Sequence, residues 1–242
     1  MRRRGVIIAA NFKTNLTRQK TAEYMAVLEA FLEKEGVTQE VMVFPPATAL
    51  DRFDGRTQVG TQNAYPTRNG AFTGELGLEQ LEEFGTDTIL IGHSERRHVM
   101  GESQEEIARK FAFYKEKGFT IVYCIGEPLE VREAGNDALM DYLEAQLEGI
   151  DLHYKKLVIA YEPVWAIGTG LTPSLGDIEL IHAALKQRVA KPLLYGGSVK
   201  VDNAREILAL QHVDGILVGS GALAVEDFCR MIRDAETLHK GE

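Results

Sequence analysis

Short apolar runs, largely β-branched, recur along the chain. They are Val6–Ala10, Val41–Phe44, Gln58–Thr61, Thr88–Ile91, Thr120–Cys124, Leu157–Tyr161, Leu193–Tyr195 and Gly215–Val218, with Gln58–Thr61 the least strand-like. None alternates apolar with polar residues, as expected of parallel strands covered by helices. Helical periodicity fills the gaps. Thr21–Glu35 carries Tyr24, Val27, Leu28, Phe31 and Leu32 on one stripe, Ser103–Lys117 carries Ile107, Phe111 and Tyr114, and Asn136–Leu147 carries Leu139, Leu143 and Leu147. Gly176–Gln187 and Asp202–Leu210 follow, and Val225–Leu238 closes the chain. Strand–helix alternation implies a parallel α/β sheet with right-handed crossovers. Repeated eight times with no linker, low-complexity tract or repeat, it predicts a closed (β/α)8 barrel, one domain spanning residues 1–242. An open doubly wound sheet is the alternative, but no Gly-x-Gly-x-x-Gly follows the first run.

Composition narrows the reading. The chain has 242 residues, 45% of them apolar, enough for one large core. A net charge of −9 leaves no broad basic face for nucleic acid. The basic cluster Arg2-Arg3-Arg4 is followed only by Val6–Ala10, too short for a signal sequence or a membrane span, so it reads as a solvated terminus. Cys124 and Cys229 lie far apart in no paired pattern, which fits a reducing cytoplasm. His93 and His98 lack metal-ligand spacing.

In a closed parallel barrel all strands point their carboxyl ends at one face, where active sites are built. Asn11 and Lys13 follow the first run, Gln62 and Asn63 the third, Gly92-His93-Ser-Glu-Arg-Arg97 the fourth and Gly126-Glu127 the fifth. Glu162 follows the sixth, then Pro163, the only tryptophan (Trp165) and a glycine-bearing loop, Ala166-Ile-Gly-Thr-Gly170, suited to act as a lid. Gly196-Gly-Ser198 and Gly219-Ser-Gly221 follow the last two. Taken singly, each has a plain structural reading: a carboxylate at a turn, a solvated lysine, a satisfied histidine, ordinary βα turns. Together they suggest chemistry. The glycine turns let backbone N–H groups approach a phosphate. His93, at a helix start, is favoured as the uncharged ring, which can donate to a carbonyl oxygen. Glu162 can remove a proton from the adjacent carbon, and Lys13 adds fixed positive charge.

The residues that carry these roles resemble the triosephosphate isomerase family. The matching stretches are Ala10-Asn-Phe-Lys13, Gln62-Asn-Ala-Tyr65, Gly70-Ala-Phe-Thr-Gly-Glu75, Ile91-Gly-His-Ser-Glu-Arg-Arg97, Tyr123-Cys-Ile-Gly-Glu127, Ala160–Gly170, Leu194-Tyr-Gly-Gly-Ser198 and Asp214–Gly219, in order along the whole chain. The resemblance implies a TIM barrel that interconverts dihydroxyacetone phosphate and glyceraldehyde 3-phosphate through an enediolate, without cofactor or metal. It implies Glu162 as base, His93 as electrophile, Asn11 and Lys13 on the substrate, and Glu95 ordering the lysine. Gly168, Ser198, Gly219 and Ser220 would bind phosphate through the backbone. A homodimer is implied, with residues 63–76 reaching into the neighbour and Thr73 at its site.

Three stretches depart from the family pattern. Ser220 stands where a glycine pair is usual, the segment from Ala183 to Leu193 is short, and the lid ends Leu171-Thr-Pro173. Pro173 lacks the N–H that, in the family, donates to a tyrosine hydroxyl at the position of Tyr195. Two other readings stay open at this point. One is a catalytically silent phosphate-binding barrel with a binding or assembly role. The other is a Schiff-base lyase, which would need a lysine inside the barrel.

Overall fold

A computed structural model of the chain describes residues 5–167 and 172–240. Strand and helix alternate as the pattern predicts. The first half holds β1 (Ile7–Asn11), α1 (Arg18–Glu35), β2 (Glu40–Phe44), β3 (Gln58–Val59), α2 (Leu78–Phe84), β4 (Thr88–Ile91), α3 (Ser94–His98) and α4 (Gln104–Glu116). The second holds β5 (Thr120–Ile125), α5 (Leu129–Glu133), α6 (Asn136–Ala145), β6 (Leu157–Tyr161), α7 (Leu175–Arg188), β7 (Leu193–Tyr195), α8 (Val201–Leu208), β8 (Gly215–Val218) and α9 (Val225–Lys240). The strands run in the order β3-β2-β1-β8-β7-β6-β5-β4, and every paired strand is parallel, as between β1 and its neighbours β2 and β8. A bridge from Thr61 to Ile89 joins the two ends. There the Thr61 N–H donates to the Thr88 carbonyl and the Leu90 N–H to the Thr61 carbonyl, both at 2.9 Å. The result is a (β/α)8 barrel.

Both faces of each strand are buried, which is why the runs show no hydropathy alternation although their side chains do alternate. Ala9, Phe44, Leu90, Cys124, Ala160 and Leu217 point into one cluster inside the barrel. Ile8, Val43, Ile89, Tyr123, Ile159 and Ile216, each one position away, pack under the helices. The parity carries past the last apolar layer. Two residues beyond Ala9 is Asn11, and two beyond Ala160 is Glu162. The same count from Leu90, Cys124, Leu194 and Leu217 reaches Gly92, Gly126, Gly196 and Gly219.

The structure refines several boundaries. The weakest run keeps regular pairing only over Gln58–Val59. Gly60 follows at a point of close packing, where a side chain would stand 2.3 Å from the Phe44 ring, and its N–H still donates to the Val43 carbonyl at 2.9 Å. α1 starts at Arg18, with the Thr17 hydroxyl accepting the Lys20 N–H; its polar first turn carries no apolar signal. Val27, expected on the buried stripe, is exposed, and Thr21 and Met25 are buried instead. α2 and α5 are too short to show periodicity, although Leu78 and Leu81 at i,i+3 before Gly85, whose φ is 70°, mark α2 in retrospect. The segment from Ala183 to Leu193 holds the end of α7, which runs to Arg188, and a four-residue connection, 189–192, to β7.

α7 also buries a histidine. His182 packs edge-on against Tyr161, ring centroids 5.7 Å apart. Its Nδ1 lies 3.3 Å from the His212 carbonyl, and its Nε2 is buried without a partner among the described residues. Burial pushes its pKa down from 6.5 to about 4, against the small opposing effect of the His212 carbonyl. Between those values the unfolded chain binds a proton that the native ring refuses, so stability falls as pH drops from 6.5 towards 4 and levels off below. The loss should be on the order of 3 kcal/mol. Urea midpoints across this range should therefore decline more steeply for the wild type than for His182→Gln. Parallel curves would remove His182 as the cause.

Candidate active site

Glu162 stands at the tip of β6 with only 1% of its surface exposed. Its neighbours on either side are glycines for a steric reason. A Cβ on Gly126 would lie 1.7 Å from the Glu162 carbonyl oxygen, and one on Gly196 2.9 Å from its Cγ. The buried Gln146 amide grips Gly126 from both sides, accepting its N–H and donating to its carbonyl, each at 2.8 Å. The carboxylate has two partners. Oε2 accepts the Ser94 N–H at 2.9 Å, and Oε1 lies 3.2 Å from His93 Nε2.

His93 caps α3 as the helix-start reading predicts. Its Nδ1 accepts the Glu95 N–H at 3.2 Å. A ring nitrogen that accepts carries no proton, so this bond selects the neutral tautomer with its hydrogen on Nε2, facing Glu162. Arg97 braces the turn, donating from Nε to the Gly92 carbonyl and from Nη2 to the Cys124 carbonyl. Cys124 is buried beneath; burial, and then the nearby Glu162 carboxylate, hold its thiol well above the usual range, so it is an inert packing group.

Lys13 has a left-handed backbone, φ 52°, a conformation that costs energy in a residue with a side chain. Three contacts hold it there. Its N–H donates to Asn11 Oδ1 at 2.9 Å, its carbonyl accepts from Gln62 Nε2 at 2.7 Å, and its ammonium donates to Glu95 Oε1 at 2.7 Å. Gly219 leaves room for the stem: a Cβ there would meet Lys13 Cε at 3.3 Å.

Asn11, Lys13, His93, Glu162, Ser198, Gly219 and Ser220 all border one cavity of about 270 Å³. The structure thus brings together the residues that the sequence assigns to the substrate and its phosphate, except Gly168, which lies outside the described residues; Gln62, Asn63 and Glu95 border the neighbouring cavity. Ser220 opens a short 3₁₀ turn, Ser220–Ala222, and is not among the positive-φ residues, so replacing a glycine there costs no backbone strain. Asn203 ties down the other turn, donating to the Ser198 carbonyl at 3.1 Å. Sequence reasoning missed Ser94, Gln146 and Asn203 as supports of the site. Among the described residues there is no cluster of His, Cys, Asp or Glu able to hold a metal ion.

Beneath the loop that follows Glu162, the buried Glu127 carboxylate accepts from the Tyr161 hydroxyl and from Trp165 Nε1, both at 3.0 Å. Burial raises its pKa. Nearby, the Tyr195 hydroxyl is buried and has no hydrogen-bond partner among the described residues.

Comparison with known proteins agrees with this geometry. A sequence model described as triosephosphate isomerase matches residues 6–235. The chain is 60% identical over 235 residues to the triosephosphate isomerase of Sulfurimonas denitrificans, covering 97% of this chain and 98% of that protein. It is 58% identical over 230 residues to that of Wolinella succinogenes (94% and 99%) and 56% identical over 227 to that of a Sulfurovum species (94% and 99%).

The unpartnered Tyr195 hydroxyl and the N–H-free Pro173 make one test. Removing a buried hydroxyl that bonds nothing among the described residues removes a desolvation cost, so Tyr195→Phe should leave stability unchanged or raise it by about 1 kcal/mol. The change in kcat/KM should stay within about twofold. Pro173→Ala supplies an N–H, and in that background the same tyrosine change should become costly, read as a double-mutant cycle. A large loss from Tyr195→Phe alone would mean that the hydroxyl works through another partner.

Proposed function

The chain belongs to the triosephosphate isomerase family of aldose–ketose isomerases, and from that premise we propose that it interconverts dihydroxyacetone phosphate and D-glyceraldehyde 3-phosphate through an enediolate, with Glu162 carrying the proton. The observation that supports this most is the pairing of a buried carboxylate with a neutral histidine, Oε1 3.2 Å from Nε2, in a cavity that also holds Lys13 and two glycine turns. Glu162 leaves the Ser94 N–H and takes a proton from the carbon beside the carbonyl. The C–H electron pair becomes the second bond of the enediolate, and the carbonyl pair moves onto oxygen. The His93 Nε2–H and the Lys13 ammonium meet that developing charge. His93 Nε2 gives its proton to that oxygen and takes back the hydroxyl proton of the neighbouring oxygen, and Glu162 returns the carbon-bound proton to the former carbonyl carbon, so that the new carbonyl closes on the first carbon. The electron pair moves within the substrate, so the step as written calls on no cofactor or metal. Backbone N–H groups of Ser198, Gly219, Ser220 and Gly168 receive the phosphate oxygens. A silent binding barrel is not favoured, since relatives aligned along nearly the whole chain bear the isomerase name.

We also propose a homodimer. A second cavity, about 660 Å³, lies beside the first, with Asn11, Lys13, His93 and Glu95 on one side and Gly74, Glu75 and Leu76 on another. Val99 and Met100 border it and are 72% and 67% exposed, and Phe72 on the 63–76 loop is 41% exposed. Thr73 beside it is also exposed. The Tyr65 ring supports Phe72, centroids 4.2 Å apart, so the loop keeps a shape that a neighbour's cavity could accept. The buried free thiols of Cys124 and Cys229 support a reducing, cytoplasmic location.

Two measurements check these readings. A coupled assay with glyceraldehyde 3-phosphate should show turnover, and Glu162→Asp, which retracts the carboxylate by about 1 Å, should lower kcat on the order of a hundredfold with little change in KM. An unaltered kcat would rule out Glu162 as base. Phe72→Asp with Thr73→Asp would bury unpaired charge at the interface, and sedimentation should then show a weakly active monomer. A fully active dimer would dispose of the intersubunit role.

A further inference from the structure

We propose that Lys200 is a further substrate-binding residue, a cation that attracts and helps hold the phosphate dianion at the mouth of the cavity. The proposal rests on the reading that the phosphate occupies the Ser198–Gly219–Ser220 end. Lys200 borders the cavity together with those three residues. The other charged side chains around it are engaged: Lys13 donates to Glu95, and Glu162 is held by Ser94 and His93. Among the described residues, no side chain is hydrogen-bonded or ion-paired to the Lys200 ammonium. Its charge is therefore uncompensated locally, in a protein whose net charge of −9 repels a dianion at long range.

The residue's place in the fold points the same way. Lys200 is the N-cap of α8, with extended backbone angles and no capping bond from its own side chain. An ammonium has no acceptor to offer the helix N–H groups, and its charge sits at the positive end of the helix dipole. Serine, threonine, asparagine or aspartate would serve the helix better, and such a local conflict is expected at functional positions. Asn203 makes good the backbone side of the conflict. Its Oδ1 accepts the Lys200 N–H at 2.8 Å while its Nδ2 donates to the Ser198 carbonyl at 3.1 Å. One amide thus locks the Lys200 backbone to the phosphate turn, and it is a positioning residue for both.

The test uses the full-length enzyme and two probes, D-glyceraldehyde 3-phosphate as substrate and inorganic phosphate as competitive inhibitor. Lys200→Ser and Lys200→Ala should raise KM and the phosphate inhibition constant together, by about two- to tenfold at low salt, with kcat changing far less. The effect should shrink as ionic strength rises from about 10 mM to about 1 M, because the screening length falls from about 30 Å to about 3 Å. Lys200→Arg should retain most of the affinity. Lys200→Ser should also raise the melting temperature, because a better cap replaces a worse one, which separates lost charge from lost fold. Unchanged KM and phosphate inhibition at low salt would overturn the proposal, as would a loss that salt does not diminish. Wild-type protein with no isomerase activity would instead overturn the functional reading on which it rests.

Discussion

Side-chain parity along eight parallel strands is the constraint on which the site depends. A strand residue faces either the barrel interior or the helices, and the interior is filled from Ile7 and Ala9 through to Leu217. The next inward position on each strand has nothing above it to pack against. Where that position is Asn11 or Glu162 a polar group enters the cavity, and where it is Gly92, Gly126, Gly196 or Gly219 there is space for one. The glycines are not interchangeable padding. Gly126 and Gly196 are shaped by Glu162 itself, whose backbone and side chain occupy the volume their Cβ atoms would take.

Around this layer the chain repeatedly accepts a local cost. Lys13 holds a left-handed backbone, Glu127 and Glu162 are buried carboxylates, Tyr195 keeps a hydroxyl with no partner among the described residues, and Lys200 caps a helix it does not suit. The Tyr195 hydroxyl apart, neighbours offset these costs by over-determining the geometry: Gln62 and Asn11 for Lys13, Tyr161 and Trp165 for Glu127, Ser94 for Glu162, Asn203 for Lys200. A rim built this way resists rearrangement, which suits groups that must meet a reacting carbon within a narrow tolerance. The Ser94 N–H gives the carboxylate a second anchor beside His93, so Glu162 is held in place before any substrate arrives.

Much of the fold was legible because burial on both faces leaves continuous apolar runs. Seven of the eight runs survive within one residue at each end, and four of these, Thr88–Ile91, Leu157–Tyr161, Leu193–Tyr195 and Gly215–Val218, survive unchanged. Gln58–Thr61 keeps regular strand pairing only over its first two residues, after which Gly60 still donates to the Val43 carbonyl and Thr61 bridges across to Ile89. Val27 misled because helix periodicity locates a stripe only to within a residue at its edges, and α1 is buried along Thr21, Tyr24, Met25, Leu28 and Leu32. Helices of five or seven residues, such as α5 and α2, are shorter than two turns and leave no periodic signal.

By itself, the order of residues determined which chemical groups follow each strand, and strand–helix alternation determined that they share a face. That is why Asn11, Lys13, His93, Glu162, Ser198, Gly219 and Ser220 could be named without coordinates, all of them now found around one cavity. Only tertiary structure decided the supporting bonds, because they join residues far apart in sequence: Ser94 to Glu162, Gln146 to Gly126, Gln62 to Lys13 and Arg97 to Cys124. Backbone donors and side-chain amides of this kind carry no sequence signature, since any residue has an N–H and surface glutamines are common. Their roles come into being when folding fixes a distance, and the tautomer of His93 is the clearest instance. It follows from a 3.2 Å contact with the Glu95 N–H, which exists only once the strand has ended and the helix has begun.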